Sequence, residues 1–250
     1  MKPILSVENI KKTYGQGSSV AYALQDVSFA VEPGEFIAIM GPSGSGKTTL
    51  LNILAGLDVS SGGNVYINGK NMSRLSGEAL ALFRRKQLGF VFQDYNLLDT
   101  LTLEENVMLP ILLNGSSDYG RVQKTMELLG ISQLAKRFPY ETSGGQQQRT
   151  AVARALVHEP SLVLADEPSG NLDSRAAIAL LEELSHLNQS QKTTIVMVTH
   201  DPHAASYANR IILLKDGQVS RNLLRHDSDR HAFYAEILSV LQKLEAELHE

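Results

Sequence analysis

A short apolar run, FIAIM (Phe36–Met40), feeds without a break into GPSGSGKT (Gly41–Thr48) and then into TTLLNILAGL. No other feature of the chain constrains its fold as strongly. An unbroken apolar run of strand length is buried on both faces, which is the condition of a strand in a parallel sheet covered by helices. The octapeptide fits G-x-x-x-x-G-K-[ST], whose glycines let successive backbone N–H groups turn inward around phosphate oxygens. Gly41, Pro42, Ser43, Gly44, Ser45 and Gly46 form the loop, and Lys47 is placed to reach the β- and γ-phosphates. Thr48 presents a hydroxyl suited to Mg²⁺, and Thr49 opens the helix beside it. The positive end of that helix points at the same place. Strand before and helix after are the context this pattern requires, so a nucleotide-phosphate site is expected here.

The rest of the chain extends the same architecture. ILSVENIKKTY and ALQDVSFAVEPGE alternate as strands, with Pro33-Gly34 as a turn, and NVYINGKN reads as a hairpin around Asn68-Gly69. LGFVFQ, SLVLADE, TTIVMVTHD and RIILLKDG are four more buried-strand runs, and SRAAIALLEELSHL between the second and third is helical. Strands alternating with helices predict an α/β fold: a parallel core, an antiparallel β piece at its start, and a helical insertion at about 94–155. In RVQKTMELLGI, Val122, Met126 and Leu129 share one face. The tail AFYAEILSVLQKLEAELHE places Phe233, Ile237, Val240, Leu244 and Leu248 on one stripe. That stripe serves a helix docked on the body, or a dimer or partner contact.

Composition excludes several classes. A net charge of −4, from 23 basic and 27 acidic residues, lacks the basic bias of a nucleic-acid binder, so nucleic acid is not expected as a partner. The absence of cysteine removes disulfides and thiolate metal sites. MKPILSVENI has no signal-like apolar run, and VMLPILL falls short of the roughly 18 residues of a membrane span. A soluble chain is expected, whose role at a membrane would come through a partner.

Further polar residues sit where apolar strands end. LVLADEP carries Asp166 and Glu167, and an Asp in that position can hold Mg²⁺. Side-chain alternation along a strand would point Glu167 away from Asp166, leaving one carboxylate for the metal and the other for polarising water. Gln93 and His200 end two other strand runs. In open α/β sheets the ligand lies beyond the carboxyl ends of the strands, so all of these converge with the Gly41 loop on one edge, with His200 expected at the γ-phosphate.

A second glycine-rich turn, TSGGQQQ (Thr142–Gln148), also opens a helix. Ser143 is of a good N-capping type, and Gly144 and Gly145 let backbone approach a ligand. The turn is an ordinary capped helix start or a second anion site. If it binds the phosphate already held by the first loop, the fold must bend it across the ligand; otherwise it serves the phosphate of a second copy.

With these motifs in order, the sequence from about Ile4 to Gly217 resembles the nucleotide-binding subunits of ABC transporters. GPSGSGKT resembles the Walker A loop, LVLADE Walker B, FQD with Gln93 the Q-loop, SGNLD with Asp173 the D-loop, and His200 the switch histidine. Tyr14 in KKTYG resembles the aromatic that stacks on adenine. TSGGQ resembles the LSGGQ signature, with Thr142 replacing the usual Leu and Ser143, Gly144, Gly145 and Gln146 intact. The resemblance implies a P-loop NTPase fold with a RecA-like parallel core. It implies a nucleotide-binding domain over residues 1–220 and a C-terminal helical extension over 221–250. It implies ATP hydrolysis with Mg²⁺ held by Thr48, Gln93 and Asp166, with Glu167, His200 and Gln93 as catalytic groups. It implies a head-to-tail homodimer in which each ATP lies between the Walker A loop of one copy and the signature loop of the other. It also implies an integral membrane permease as partner, which would hold the chain on the cytoplasmic face of the cell membrane. Within the family, GFVFQDYNLLDTLTLEENVMLP, PYETSGGQQQRTAVARAL and LADEPSGNLD resemble a branch of lipoprotein-releasing and macrolide-exporting ATPases. QDYNLLDTLTLEEN and RHAFYAEILSVL resemble, more narrowly, ATPases of bacitracin-type peptide-resistance transporters, which often work beside a sensor histidine kinase.

Overall fold

The computed structural model describes residues 2–15, 20–225 and 229–246. Two sheets organise the chain. The smaller is antiparallel, in the order β2-β1-β4-β5, from β1 (Leu5–Tyr14), β2 (Ala21–Val31), β4 (Gly62–Ile67) and β5 (Lys70–Asn71). The larger contains β3 (Phe36–Met40), β6 (Leu88–Val91), β7 (Leu162–Asp166), β8 (Ile195–Val198), β9 (Arg210–Lys215) and β10 (Gln218–Leu224), in the order β10-β9-β3-β8-β7-β6. Its strands pair in parallel except β10, which returns antiparallel on β9. The turn at Asp216-Gly217 makes that hairpin, and it carries the sheet past residue 220.

The helices cover both faces of this sheet. They are α1 (Lys47–Leu54), α2 (Gly77–Gln87), α3 (Leu103–Leu113), α4 (Tyr119–Leu128), α5 (Gly144–Leu156), α6 (Ser174–Gln191), α7 (Pro202–Ala205) and α8 (Arg230–Ala246). Residues alternate between the two cores along each central strand, as the pleat requires. Phe36, Ala38 and Met40 face the core shared with α3, α4, α5, α6 and α8, while Ile37 and Ile39 face the one shared with α1 and the antiparallel sheet. β7 and β8 divide in the same way, with Val163, Ala165, Ile195 and Met197 on the first side and Leu162, Leu164, Val196 and Val198 on the second. Burial on both faces is why these strands read as unbroken apolar runs.

α2 has no counterpart in the sequence reading. GEALALFRRKQ buries only Phe83, so its apolar stripe is too thin to register as a helical period. In α4, Val122 and Met126 are buried, as is Leu129 just beyond it.

α8 docks on the body. Phe233 and Ile237 are fully buried, Val240 and Leu244 are partly so, and Leu241 joins them. Leu248 lies outside the described residues. Phe233→Ala is expected to cost about 3–5 kcal/mol of stability, the usual price of emptying a closed aromatic site. Urea denaturation checks this, and a loss below about 1 kcal/mol would mean that α8 is not held to the body in solution.

Candidate active site

Parallel pairing sets the strand ends level. Asp166 pairs with Val198, Val91 with Ala165, and Ile39 with Val198. The segments leaving β3, β6, β7 and β8 therefore emerge together at the carboxyl edge, where ligands of open α/β sheets bind. They enclose a cavity of about 870 Å³ lined by Gly41, Pro42, Ser43, Gly44, Gly46, Lys47, Thr48, Thr49, Gln93, Asp166, Glu167 and His200. That is ample for a nucleotide.

The loop after β3 is shaped for phosphate. Gly46 adopts φ +97°, and a Cβ there would lie 2.5 Å from the Ala23 carbonyl oxygen. A Cβ on Gly41 would lie 2.2 Å from the Leu214 carbonyl oxygen. Both positions exclude a side chain. No side chain caps α1, so its first N–H groups are left for an anion. Ser45 lines no part of the cavity, but it is buried and its hydroxyl has no protein partner, which marks it for a ligand or water. Lys47 donates to the carbonyls of Gly41 (2.8 Å) and Pro42 (2.9 Å). Burial lowers the Lys47 pKa, against the opposing pull of Glu167 and Asp166.

The two carboxylates sit in different environments. Burial raises the Asp166 pKa, and the Glu167 carboxylate adds to the rise while Lys47 opposes it. Thr48, Asp166 and Gln93 put a hydroxyl, a carboxylate and an amide among the groups that line the cavity, and their oxygens are of the hard type that Mg²⁺ takes. A divalent cation there would relieve the strain on Asp166, so the set fits Mg²⁺.

A carboxyl whose pKa is raised by folding loses stability as pH climbs through the unfolded pKa toward the folded one. Asp166→Asn is thus expected to raise the melting temperature at neutral pH. Calorimetry checks this, and a lower melting temperature would contradict burial as the cause of the raised pKa.

Glu167 corrects the sequence reading. It does not continue the alternation of β7, because the strand ends at Asp166 and Glu167 turns to φ +44°. That turn folds its carboxylate back against the end of β8. Oε2 accepts from the Thr199 hydroxyl (3.1 Å), and Oε1 accepts from the His200 N–H (3.0 Å) and lies 2.7 Å from His200 Nδ1. The carboxylate is mostly buried, whereas the imidazole side chain is 73% exposed. His200 thus lines the cavity bound to Glu167.

Gln93 donates to Asn171 Oδ1 (3.2 Å), and Asn171 Nδ2 in turn reaches the Gln93 carbonyl (3.3 Å) and Asp94 (2.7 Å). Gln148, fully buried on α5, donates to the carbonyls of Phe92 (3.2 Å) and Pro168 (2.7 Å). These two side chains fasten the segment that carries Gln93 to the one that follows Glu167. Sequence reasoning missed both, although Asn171 stands inside the SGNLD motif. It also missed Ala23, Leu241 and Leu244, which line the cavity from β2 and α8.

The second loop lies elsewhere. Ser143, Gly144, Gly145, Gln146, Asp173 and Tyr14 do not line the cavity. Ser143 and Gln146 close a capping box on α5, with Ser143 N–H donating to Gln146 Oε1 at 2.9 Å. Asp173 caps α6 through the Ala176 N–H at 2.9 Å. Within one chain, the turn does not reach across the ligand cavity.

Comparison with known proteins decides the family. Residues 24–170 match the family model described as ABC transporter. The chain belongs to the ABC transporter family. It is 51% identical over 98% of its length to the ABC transporter ATP-binding protein YxdL of Bacillus subtilis, covering 95% of that protein. It is 48% identical to the bacitracin export ATP-binding protein BceA of Halalkalibacterium halodurans, over 95% of each chain. Among solved structures, the ATP-binding cassette MJ0796 of Methanocaldococcus jannaschii, a post-hydrolysis dimer bound to ADP and Pi, superposes with a TM-score of 0.81. The match covers 90% of this chain and all of that one, at 40% identity. The ABC fold joins the parallel P-loop core to the antiparallel sheet, and the chain is an ATP-binding ABC ATPase. No described helix is long and apolar enough to cross a membrane.

Proposed function

We propose that this ABC ATPase is the motor of a bacitracin-type peptide-resistance transporter, dimerising around two ATP molecules to drive an integral membrane permease. The observation that carries the reading is the 48% identity to BceA across 95% of both chains. The nucleotide-binding domain expected over residues 1–220 would run on through β10 to Leu224, because that strand pairs with β9, with the helical subdomain at about 94–155 and the remainder of 221–250 as the C-terminal extension. The permease would hold the chain on the cytoplasmic face of the membrane, and Asp94 to Met108 would receive its cytoplasmic coupling segment. A sensor histidine kinase would be reached through the permease.

In this reading the N–H groups of Gly41 to Thr49 and the Lys47 amine bind the phosphates. Thr48, Asp166 and Gln93 would hold Mg²⁺, which when bound neutralises charge on the phosphate oxygens. Glu167 accepts a proton from the attacking water, and its contacts with Thr199 and His200 fix the orientation of the carboxylate. His200 presents its ring to the γ-phosphate. Ser143, Gly144, Gly145 and Gln146 of a second copy close the site, and Asp173 lies at the same seam. The capped start of α5 supports a trans role, because that turn stays away from the cavity of its own chain. A γ-phosphate held from both sides joins the copies, and its hydrolysis releases them.

The test is purification of the tagged chain from its native cell after gentle solubilisation of the membranes. A large single-chain permease with a sizeable extracellular domain is the expected companion. A four-span permease with a periplasmic domain would move the chain to the lipoprotein or macrolide branch. Recovery without any membrane protein would contradict the transporter reading.

A further inference from the structure

Tyr14 is 44% exposed, yet it is anchored at two points. Its hydroxyl donates to Asp58 Oδ2 at 2.7 Å, and the Lys12 amine lies over its ring, 4.6 Å from the centroid. Lys12 is itself buried, and its amine donates to Asp58 Oδ1 (2.6 Å) and the Val59 carbonyl (2.7 Å). The Val59 N–H donates back to Asp58 Oδ1 at 2.7 Å. Burial pushes the Asp58 carboxyl up, but the hydrogen bonds from Lys12, Tyr14 and Val59 outweigh it and leave the pKa lowered.

Two further contacts relate this cluster to the phosphate loop. The N–H groups of Leu57 and Asp58 both reach the Asn52 carbonyl in α1, at 2.8 and 3.2 Å. Asp58 is thus fixed to the helix whose first turn is the phosphate loop. Tyr14 pairs with Ala21 on β2, and two residues along that strand, about 7 Å, Ala23 lines the cavity and abuts Gly46.

A surface tyrosine needs no such anchoring to be tolerated, and the Lys12 amine, already held by Asp58 and the Val59 carbonyl, does not need the ring to be satisfied. The arrangement makes sense if the ring is a platform. A cation on one face and a tether at the hydroxyl remove the rotamer freedom that a stacked partner would otherwise have to freeze. We propose that Lys12 and Asp58 are positioning residues that hold Tyr14 in the orientation for stacking on the nucleotide base, registered to the phosphate loop through α1. This rests on the reading of Tyr14 as the adenine platform.

The two readings separate experimentally. The full-length chain and its variants Tyr14→Ala, Tyr14→Phe and Asp58→Asn are titrated with ADP, and with inorganic pyrophosphate, which has no base. Loss of the ring in Tyr14→Ala is expected to weaken ADP about tenfold or more. Tyr14→Phe keeps the ring and loses only the tether, so it is expected to weaken ADP about threefold to tenfold, as is Asp58→Asn. Pyrophosphate affinity should be unchanged in all three. If Tyr14→Ala weakens ADP while Tyr14→Phe and Asp58→Asn bind like wild type, the platform stands and the positioning role is overturned. If Tyr14→Ala binds ADP like wild type, the platform reading fails and the positioning role with it. Equal losses for ADP and pyrophosphate in Asp58→Asn would mean a general structural role, which also overturns the proposal. Tyr14→Phe changes one atom of an exposed side chain, so the decision does not depend on how well Asp58→Asn folds.

Discussion

Glu167→Gln is expected to retain ATP binding and to slow hydrolysis by about 10²–10⁴-fold, the range for removing a general base. The amide preserves the shape of the side chain: its oxygen can still accept from the His200 N–H, and its NH₂ can donate to the Thr199 hydroxyl, so the site should keep its form. What it loses is basicity toward water. Because the phosphate then persists, the variant should also collect as an ATP-bound dimer, visible by size-exclusion chromatography with ATP. Single-turnover phosphate release measures the chemical step, and wild-type turnover would remove Glu167 from its assigned role.

Ser143→Arg is expected to abolish turnover while leaving ATP binding by the single chain intact. Ser143 caps α5 and lies outside the cavity built around Gly41 to Thr49. An arginine there puts bulk onto the face that would meet a second copy, and it removes the hydroxyl that accepts from the Gln146 N–H. The loss of a helix cap costs about 0.5–2 kcal/mol, too little to unfold a domain of this size. Nucleotide affinity measured at low protein concentration, beside turnover at high concentration, separates the outcomes. Loss of ATP binding by the monomer would place the second loop in the site of its own chain.

The parts of the structure that were legible in the sequence are those with an unbroken physical signature. FIAIM, LVLAD and IVMV read as buried parallel strands because both of their faces are covered. The phosphate loop read clearly because a glycine-rich turn between strand and helix has few other uses. What was not legible depends on geometry that no local pattern encodes. Alternation predicted the direction of Glu167 wrongly because the chain leaves the strand one residue earlier and enters the left-handed region. α2 escaped because a helix that buries one phenylalanine carries almost no period. Leu241 and Leu244 were read only as part of an amphipathic tail, since which wall that tail completes is decided by the docking of α8. Asn171 and Gln148 hold segments nearly 80 and about 20–60 residues away in sequence, and single polar side chains give no sign of such partners.

The central claim is that a working site takes its phosphate loop from one copy and its signature loop from another. Mixing two inactive chains tests it most directly. Lys47→Ala removes the amine of the first loop but keeps Ser143, and Ser143→Arg blocks the second loop but keeps Lys47. Combined in equal amounts, they form mixed dimers with one complete site, and turnover is expected to return to about a quarter of wild type. A mixture no more active than the two variants measured separately would contradict the shared site.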